Sequence, residues 1–374
     1  MAIEGKETVL RLSTAMALLC LAVIHVTPAF ALNTSQGNVA LTKMADGLDE
    51  PWGFGFLPDG TVVITEKHGT VWRVAGGDRR EVRGVPRVAT DGQGGLLDVM
   101  VPRDFDTTRQ LYFSYAKPQE DGSGTAVAVA RLADNGQQLL DWQVIYEMVP
   151  GSSGGRHFGS RIVEAPDGTL FVTIGERGDR PSAQDLAREN GSVIRINRDG
   201  SIPEDNPFAD TQGTQPAIWS YGHRNPQGAG LDLEGNLWVS EHGARGGDEV
   251  NAVRKGANYG WPVISYGRHY SGFKIGEGTA KPGMEQPEFY WDPSIAPSGL
   301  MVYSGKLWSE WRGSLFIGSL KYDYIARLNG TPLAEVEQLQ SNETARVRDI
   351  REAPDGTIWF LSVGRGALFQ LAPE

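Results

Sequence analysis

One pattern recurs along this chain and limits its possible folds more than any other feature. A tight Pro-Asp-Gly turn runs straight into a short β-rich segment. It stands at Leu57-Pro58-Asp59-Gly60-Thr61-Val62-Val63-Ile64-Thr65 and again at Ala165-Pro166-Asp167-Gly168-Thr169-Leu170-Phe171-Val172-Thr173. It returns at Leu233-Glu234-Gly235-Asn236-Leu237-Trp238-Val239-Ser240 and at Ala353-Pro354-Asp355-Gly356-Thr357-Ile358-Trp359-Phe360-Leu361. Looser copies at residues 109–114 and 312–317 bring the number to six. Pro, Asp and Gly preset a turn, and the β-branched and aromatic residues that follow fit a pleated sheet. Six such units at blade-like spacing predict an all-β, six-bladed β-propeller. A two-sheet sandwich accommodates six similar units less naturally. The intervals lengthen in the middle of the chain, so long loops, where sites are usually built, are expected on those blades. Pairing of residues 39–42 with residues 368–371 would close the ring and hide two sheet edges.

Residues 1–31 differ from the rest. An apolar stretch from Ala15 to Ile24 precedes Ala29-Phe30-Ala31, a small-x-small cleavage pattern. The pattern predicts an export signal over 1–31, a catalytic propeller over 32–374 and a periplasmic location. A buried N-terminal helix is the other reading of this stretch. The apolar run is too short to span a bilayer, so no membrane insertion is expected after cleavage. The only cysteine, Cys20, lies within the segment, and Leu19 before it is too large for a lipid-attachment site. The mature chain would therefore have neither disulfides nor thiol chemistry. Cleavage removes Lys6 and Arg11 together with Glu4 and Glu7, so the formal charge stays at −11. That balance argues against nucleic acid or an anionic membrane as partner. A local cluster of cations in such a chain calls for a local anion.

Several segments supply that cluster. Gly222-His223-Arg224-Asn225-Pro226-Gln227-Gly228 sets a cation beside an amide in a Pro/Gly-rich turn. Gln93 is flanked by glycines, and His157 lies in Gly154-Gly155-Arg156-His157-Phe158-Gly159-Ser160-Arg161. Imidazole suits proton transfer near neutral pH, although an ordinary loop histidine fits the same residues. Arg346 and Arg348, two apart, would project from one face of a strand and repel each other unless an anion lies between them. A solvated strand face is the alternative. Ser319-Leu320-Lys321 adds a point charge. The loop Ser240-Glu241-His242-Gly243-Ala244-Arg245-Gly246-Gly247-Asp248-Glu249 offers carbonyls and carboxylates, the hard oxygen ligands that Ca²⁺ takes, and equally fits a solvated acidic loop. No HExxH, CxxC or serine-nucleophile elbow is present.

Taken in order, GQGGLLDV, RHFGSR, TIGERGDR, GHRNPQG, SEHGARGGDEVN, NYGWP, SLK and RVRD cover nearly all the mature chain. This series resembles the soluble, pyrroloquinoline-quinone (PQQ)-dependent aldose sugar dehydrogenases of the glucose/sorbosone dehydrogenase family. The resemblance implies a six-bladed propeller that oxidises an aldose at its anomeric carbon to the lactone. It implies hydride transfer to PQQ, with His157 as the general base, and electrons passing to an external acceptor. By resemblance, Gln93, Arg224, Asn225, Lys321, Arg346 and Arg348 hold the cofactor, with Ser319, Leu320 and Val347 beside them and Ser265 and Tyr270 as further contacts. Gly243 and Ala244 would offer carbonyls to a cofactor-bound Ca²⁺, and Glu249 and Tyr259 would help bind a second, structural Ca²⁺. Where many relatives have proline this chain has Ala244, which keeps the carbonyl and can loosen the loop. Arg156 is not fixed in the family, and its charge could alter substrate preference. Two rival readings are a metal-dependent sugar-lactone hydrolase and a non-catalytic binding propeller, since propellers host many functions.

Overall fold

A computed structural model describes Met1 and residues 30–374. Most of the expected export signal lies outside these residues, and only Phe30 and Ala31 of it open a strand, Phe30–Thr34. Six antiparallel sheets follow one another along the chain. Blade 1 spans residues 51–81, blade 2 residues 96–147 and blade 3 residues 162–221. Blade 4 spans residues 226–291, blade 5 residues 297–340 and blade 6 residues 347–373. The first strand of each blade touches the first strands of both neighbouring blades, so these six strands form a closed inner ring. The expected six-bladed propeller is the observed fold.

All six sequence repeats mark the second strand of a blade, from Val62–Glu66 in blade 1 to Ile358–Ser362 in blade 6. The turn before that strand has the same construction in blades 1, 3 and 6. Asp59, Asp167 and Asp355 each accept the backbone N–H of the threonine two residues on, at 3.0, 3.0 and 2.9 Å. Gly60, Gly168 and Gly356 take φ values of 80°, 85° and 90°, which the turn requires and a Cβ would oppose. The ring closes where Gly37–Ala45 pairs with Ala367–Pro373, with Leu41 opposite Leu371 and Thr42 opposite Gln370. Phe30–Thr34 adds a fifth strand outside this pair, which the sequence reading did not include.

Each interface between blades has its own apolar cluster. Val63 and Val71 meet Phe113 between blades 1 and 2, and Phe54 and Ile64 meet Leu361 and Leu368 between blades 1 and 6. Each such side chain contributes roughly 1.5–3 kcal/mol through burial. At the axis the packing is ionic. Arg161 lies 2.8 Å from Asp98 and 3.0 Å from Asp349, and Arg351 lies 2.6 and 3.0 Å from the same two carboxylates. Long loops fall on the middle blades as expected: residues 197–217 in blade 3 and 254–288 in blade 4.

This order of strands creates the site. Because the six inner strands run in parallel around the axis, the segments entering them lie on one face. In an antiparallel blade the end of the second strand lies on that face too. The segments holding Gln93, His157, Arg224 and Arg346 enter inner strands, whereas Lys67, Glu176, His242 and Lys321 follow second strands.

Candidate active site

His157 is buried on this face with left-handed backbone, φ 56°. Its loop packs so closely that a Cβ on Gly175 would fall 2.1 Å from the His157 carbonyl oxygen. The His157 N–H donates to Gln93 Oε1 at 2.7 Å, and its Nδ1 lies 2.5 Å from Glu176 Oε1. A carboxylate there fixes the proton on Nδ1 and leaves the Nε2 lone pair for chemistry. Burial lowers the His157 pKa; Glu176 opposes that shift, while Arg224 and Arg156 add to it. The imidazole is therefore neutral at pH 7, as a base must be. Behind it, Arg177 stacks 3.3 Å from the Phe158 ring and donates to the Arg156 carbonyl, bracing the loop.

His157 lines a cavity of about 630 Å³ together with Gln93, Arg224, His242 and Lys321. A second lobe of about 580 Å³ shares Gln93, His242 and Lys321 and adds Trp52, Lys67, Gln227, Arg346 and Arg348. Six cations among the described residues, Lys67, Arg224, Arg245, Lys321, Arg346 and Arg348, thus line one continuous space and come from four blades. Burial, together with the nearby Arg346 and Arg161 charges, lowers the Arg348 pKa to about 10. Buried Arg224 Nε and Asn225 Nδ2 have no hydrogen-bond partner among the described residues. Unpaired buried donors and mutually repelling guanidiniums both call for an anion with several acceptors.

Arg346 and Arg348 reach the same lobe, but not by the expected alternation along a strand. The strand begins at Val347; Arg346 precedes it at φ 51°, and a register break between Val347 and Asp349 turns Arg348 inward. Arg348 then donates to Gln227 Oε1 at 2.8 Å. Leu320 lines this lobe, and its carbonyl accepts from Arg346 at 3.0 Å. The side chains of Ser319 and Val347 do not reach it. Ser319 Oγ donates to the Ile295 carbonyl at 2.9 Å, and Val347 packs in the core between blades 5 and 6. Tyr270 stands at the mouth of the His157 lobe, 71% exposed.

Ser265 lies elsewhere, in a third space of about 10 Å³ bounded by Glu241, His242, Gly243, Glu249 and Tyr259. That is room for about one water-sized particle. Burial drives the Glu249 pKa well above the carboxylate range, and the charges of Glu241 and Asp248 add to it. A cation would relieve that crowding. Tyr259's hydroxyl is committed, donating to the Ala252 carbonyl at 2.6 Å, so only its backbone is left for a metal. Gly243 and Ala244 line the His157 lobe. Among the described residues no group of three or more His, Cys, Asp or Glu side chains is arranged to hold a metal. A Ca²⁺ here would depend on backbone carbonyls.

Glu176, His242, Gln227, Trp52 and Lys67 were not singled out from the sequence. Glu176, His242 and Gln227 lie inside the motifs quoted above, and His242 directly precedes Gly243. Trp52 and Lys67 carry no such signal, because only the ring brings blade 1 to this wall. His242 donates from Nε2 to the Pro297 carbonyl at 2.8 Å, and burial, with Arg224 and Arg348, lowers its pKa to about 3.

A closed propeller with a histidine–carboxylate pair above convergent cations is the layout of an enzyme that works on or with an anionic ligand. Comparison with known proteins narrows this class. The glucose/sorbosone dehydrogenase family profile matches residues 48–370. The aldose sugar dehydrogenase YliI of Escherichia coli is 41% identical over 92% of this chain and 95% of its own. The crystal structure of a soluble aldose sugar dehydrogenase from Escherichia coli, in its apo form, superposes with a TM-score of 0.87 at 40% identity, covering 90% of this chain and all of that one. A PQQ-bound aldose sugar dehydrogenase from Streptomyces coelicolor gives 0.74 at 27% identity, over 89% of this chain and 98% of that one. The chain belongs to the glucose/sorbosone dehydrogenase family and is thereby a sugar oxidoreductase.

Proposed function

We propose that this protein oxidises aldose sugars at the anomeric carbon to the lactone, with PQQ and Ca²⁺ as cofactors, and delivers the electrons to an external acceptor. The observation that carries this reading is the His157–Glu176 pair facing a two-lobed cavity lined by cations from separate blades. Bound in that cavity, the quinone would supply the acceptor for the hydride leaving the sugar's C1.

The protein's own groups have separable tasks. Arg346, Arg348 and Lys67 would bind carboxylates in one lobe, and Arg224, Asn225, Gln93 and Lys321 would meet quinone oxygens beside His157. A cation there stabilises negative charge that develops during reduction. His157 Nε2 takes the anomeric hydroxyl proton, and Glu176 stabilises the imidazolium that results. Tyr270, at the mouth, would contact the sugar as readily as the cofactor. The carbonyls of Gly243 and Ala244 would hold one Ca²⁺, and Glu249 with the Tyr259 carbonyl a second. The Ala29-Phe30-Ala31 pattern supports export to the periplasm, and no helix among the described residues is long and apolar enough to cross a membrane.

The rival hydrolase would place its metal at the propeller axis. The two carboxylates there, Asp98 and Asp349, are both paired with Arg161 and Arg351. The test is reconstitution: purified apo-protein is given PQQ and Ca²⁺ and assayed for dye reduction with a panel of aldoses. Sugar-dependent reduction that requires the quinone is expected. No reduction with any aldose, despite saturating cofactor, would overturn the proposal.

A further inference from the structure

Among the described residues, His242 alone lines all three spaces: the His157 lobe, the arginine lobe and the small acidic space beneath Gly243. Its ring is held by one hydrogen bond, from Nε2 to the Pro297 carbonyl at 2.8 Å. A carbonyl oxygen only accepts, so Nε2 carries the proton and the neutral ring presents a bare Nδ1. That nitrogen makes no hydrogen bond with any of the described residues.

The surrounding wall is rich in donors, and its carboxylates are largely engaged. Asp323 accepts the Arg346 N–H at 2.8 Å and Asp248 accepts from Gly243, Ser294 and Ala296, while Asp292 is exposed. Gln93 Oε1 is taken by the His157 N–H, and Gln227 Oε1 by Arg348. Glu50 is paired with Lys67 at 3.1 Å. A tricarboxylate quinone matches such a wall at nearly every atom except its pyrrole N–H, which is a donor. Burying that N–H without a partner would be costly. We infer that His242 is a cofactor-positioning residue whose Nδ1 accepts a hydrogen bond from the pyrrole N–H of bound PQQ. The inference rests on the PQQ assignment above and adds to it the orientation of the ring system in the two lobes.

The experiment uses full-length protein with ¹⁵N-labelled histidine, titrated with PQQ in the presence of Ca²⁺. The His242 Nδ1 resonance is identified as the one missing from His242→Gln. PQQ binding should move it upfield, as expected for a bare imidazole nitrogen that gains a hydrogen bond. By calorimetry, His242→Ala should bind PQQ about 3- to 10-fold more weakly, the range for one neutral hydrogen bond, and His242→Gln should recover part of the loss. Binding with the Nδ1 resonance unmoved overturns the inference and leaves the PQQ assignment standing. Wild-type protein that fails to bind PQQ overturns the assignment itself, and the inference with it.

Discussion

His157 Nδ1 and Glu176 Oε1 lie 2.5 Å apart although 19 residues separate them, because one enters the first strand of blade 3 and the other leaves the second. The pair has a definite effect on pH dependence. The His157 pKa lies below the ordinary 6.5, and neutral imidazole is the active form. Activity should therefore be complete at neutral pH, with kcat/KM falling only on the acid side, as pH drops through the lowered value. Glu176 raises that value, so Glu176→Gln should lower turnover and move the acid limb to still lower pH. A profile of unchanged midpoint in this variant would detach Glu176 from the base.

Arg348 donates to Gln227 and lines the second lobe together with Arg346. Arg348→Ala should weaken PQQ binding by about 1.5–3 kcal/mol, the cost of one charge-assisted hydrogen bond. Calorimetry reads this directly, and unaltered affinity would place Arg348 outside the cofactor clamp.

Glu249, crowded by Glu241 and Asp248, should make thermal stability respond to Ca²⁺. At 100 times its dissociation constant, a ligand specific to the folded state adds about 2.7 kcal/mol. Ca²⁺ should therefore raise the Tm of the wild type more than that of Glu249→Gln. Equal shifts in the two proteins would show that Glu249 is no ligand.

The axial ion network should matter to stability rather than to turnover. Asp98 accepts from Arg161 and Arg351, and its removal leaves both guanidiniums with Asp349 alone. Asp98→Ala should cost roughly 3–5 kcal/mol in chemical denaturation, as for a broken buried pair. A loss below about 1 kcal/mol would mean that water or Asp349 takes over the charge.

The fold was legible because its signal is local and repeated. The aspartate of each Pro-Asp-Gly turn caps its own turn two residues on, and that construction needs no distant partner. Closure was legible as a pairing of residues 39–42 with residues 368–371 that hides two sheet edges. The cations were visible as an excess needing explanation in an acidic protein, yet the alternation argument for Arg346 and Arg348 assumed a regular strand. A positive φ and a bulge, set by packing around Val347, achieve the same convergence. Ser319 and Val347 follow the motif in sequence but turn toward the core, a distinction that burial alone reveals. Lys67 and Trp52 reach the wall because blade 1 closes against blade 6, an arrangement that no short segment records.

The most direct test compares wild-type and His157→Ala proteins, each loaded with PQQ and Ca²⁺, measuring cofactor affinity by calorimetry and aldose-dependent dye reduction side by side. If His157 is the base beside a clamp built by other residues, affinity stays close to wild type while turnover falls by about 10²–10⁴-fold. Turnover that survives the substitution intact, with the cofactor equally bound, would contradict the assignment of His157 as the proton acceptor.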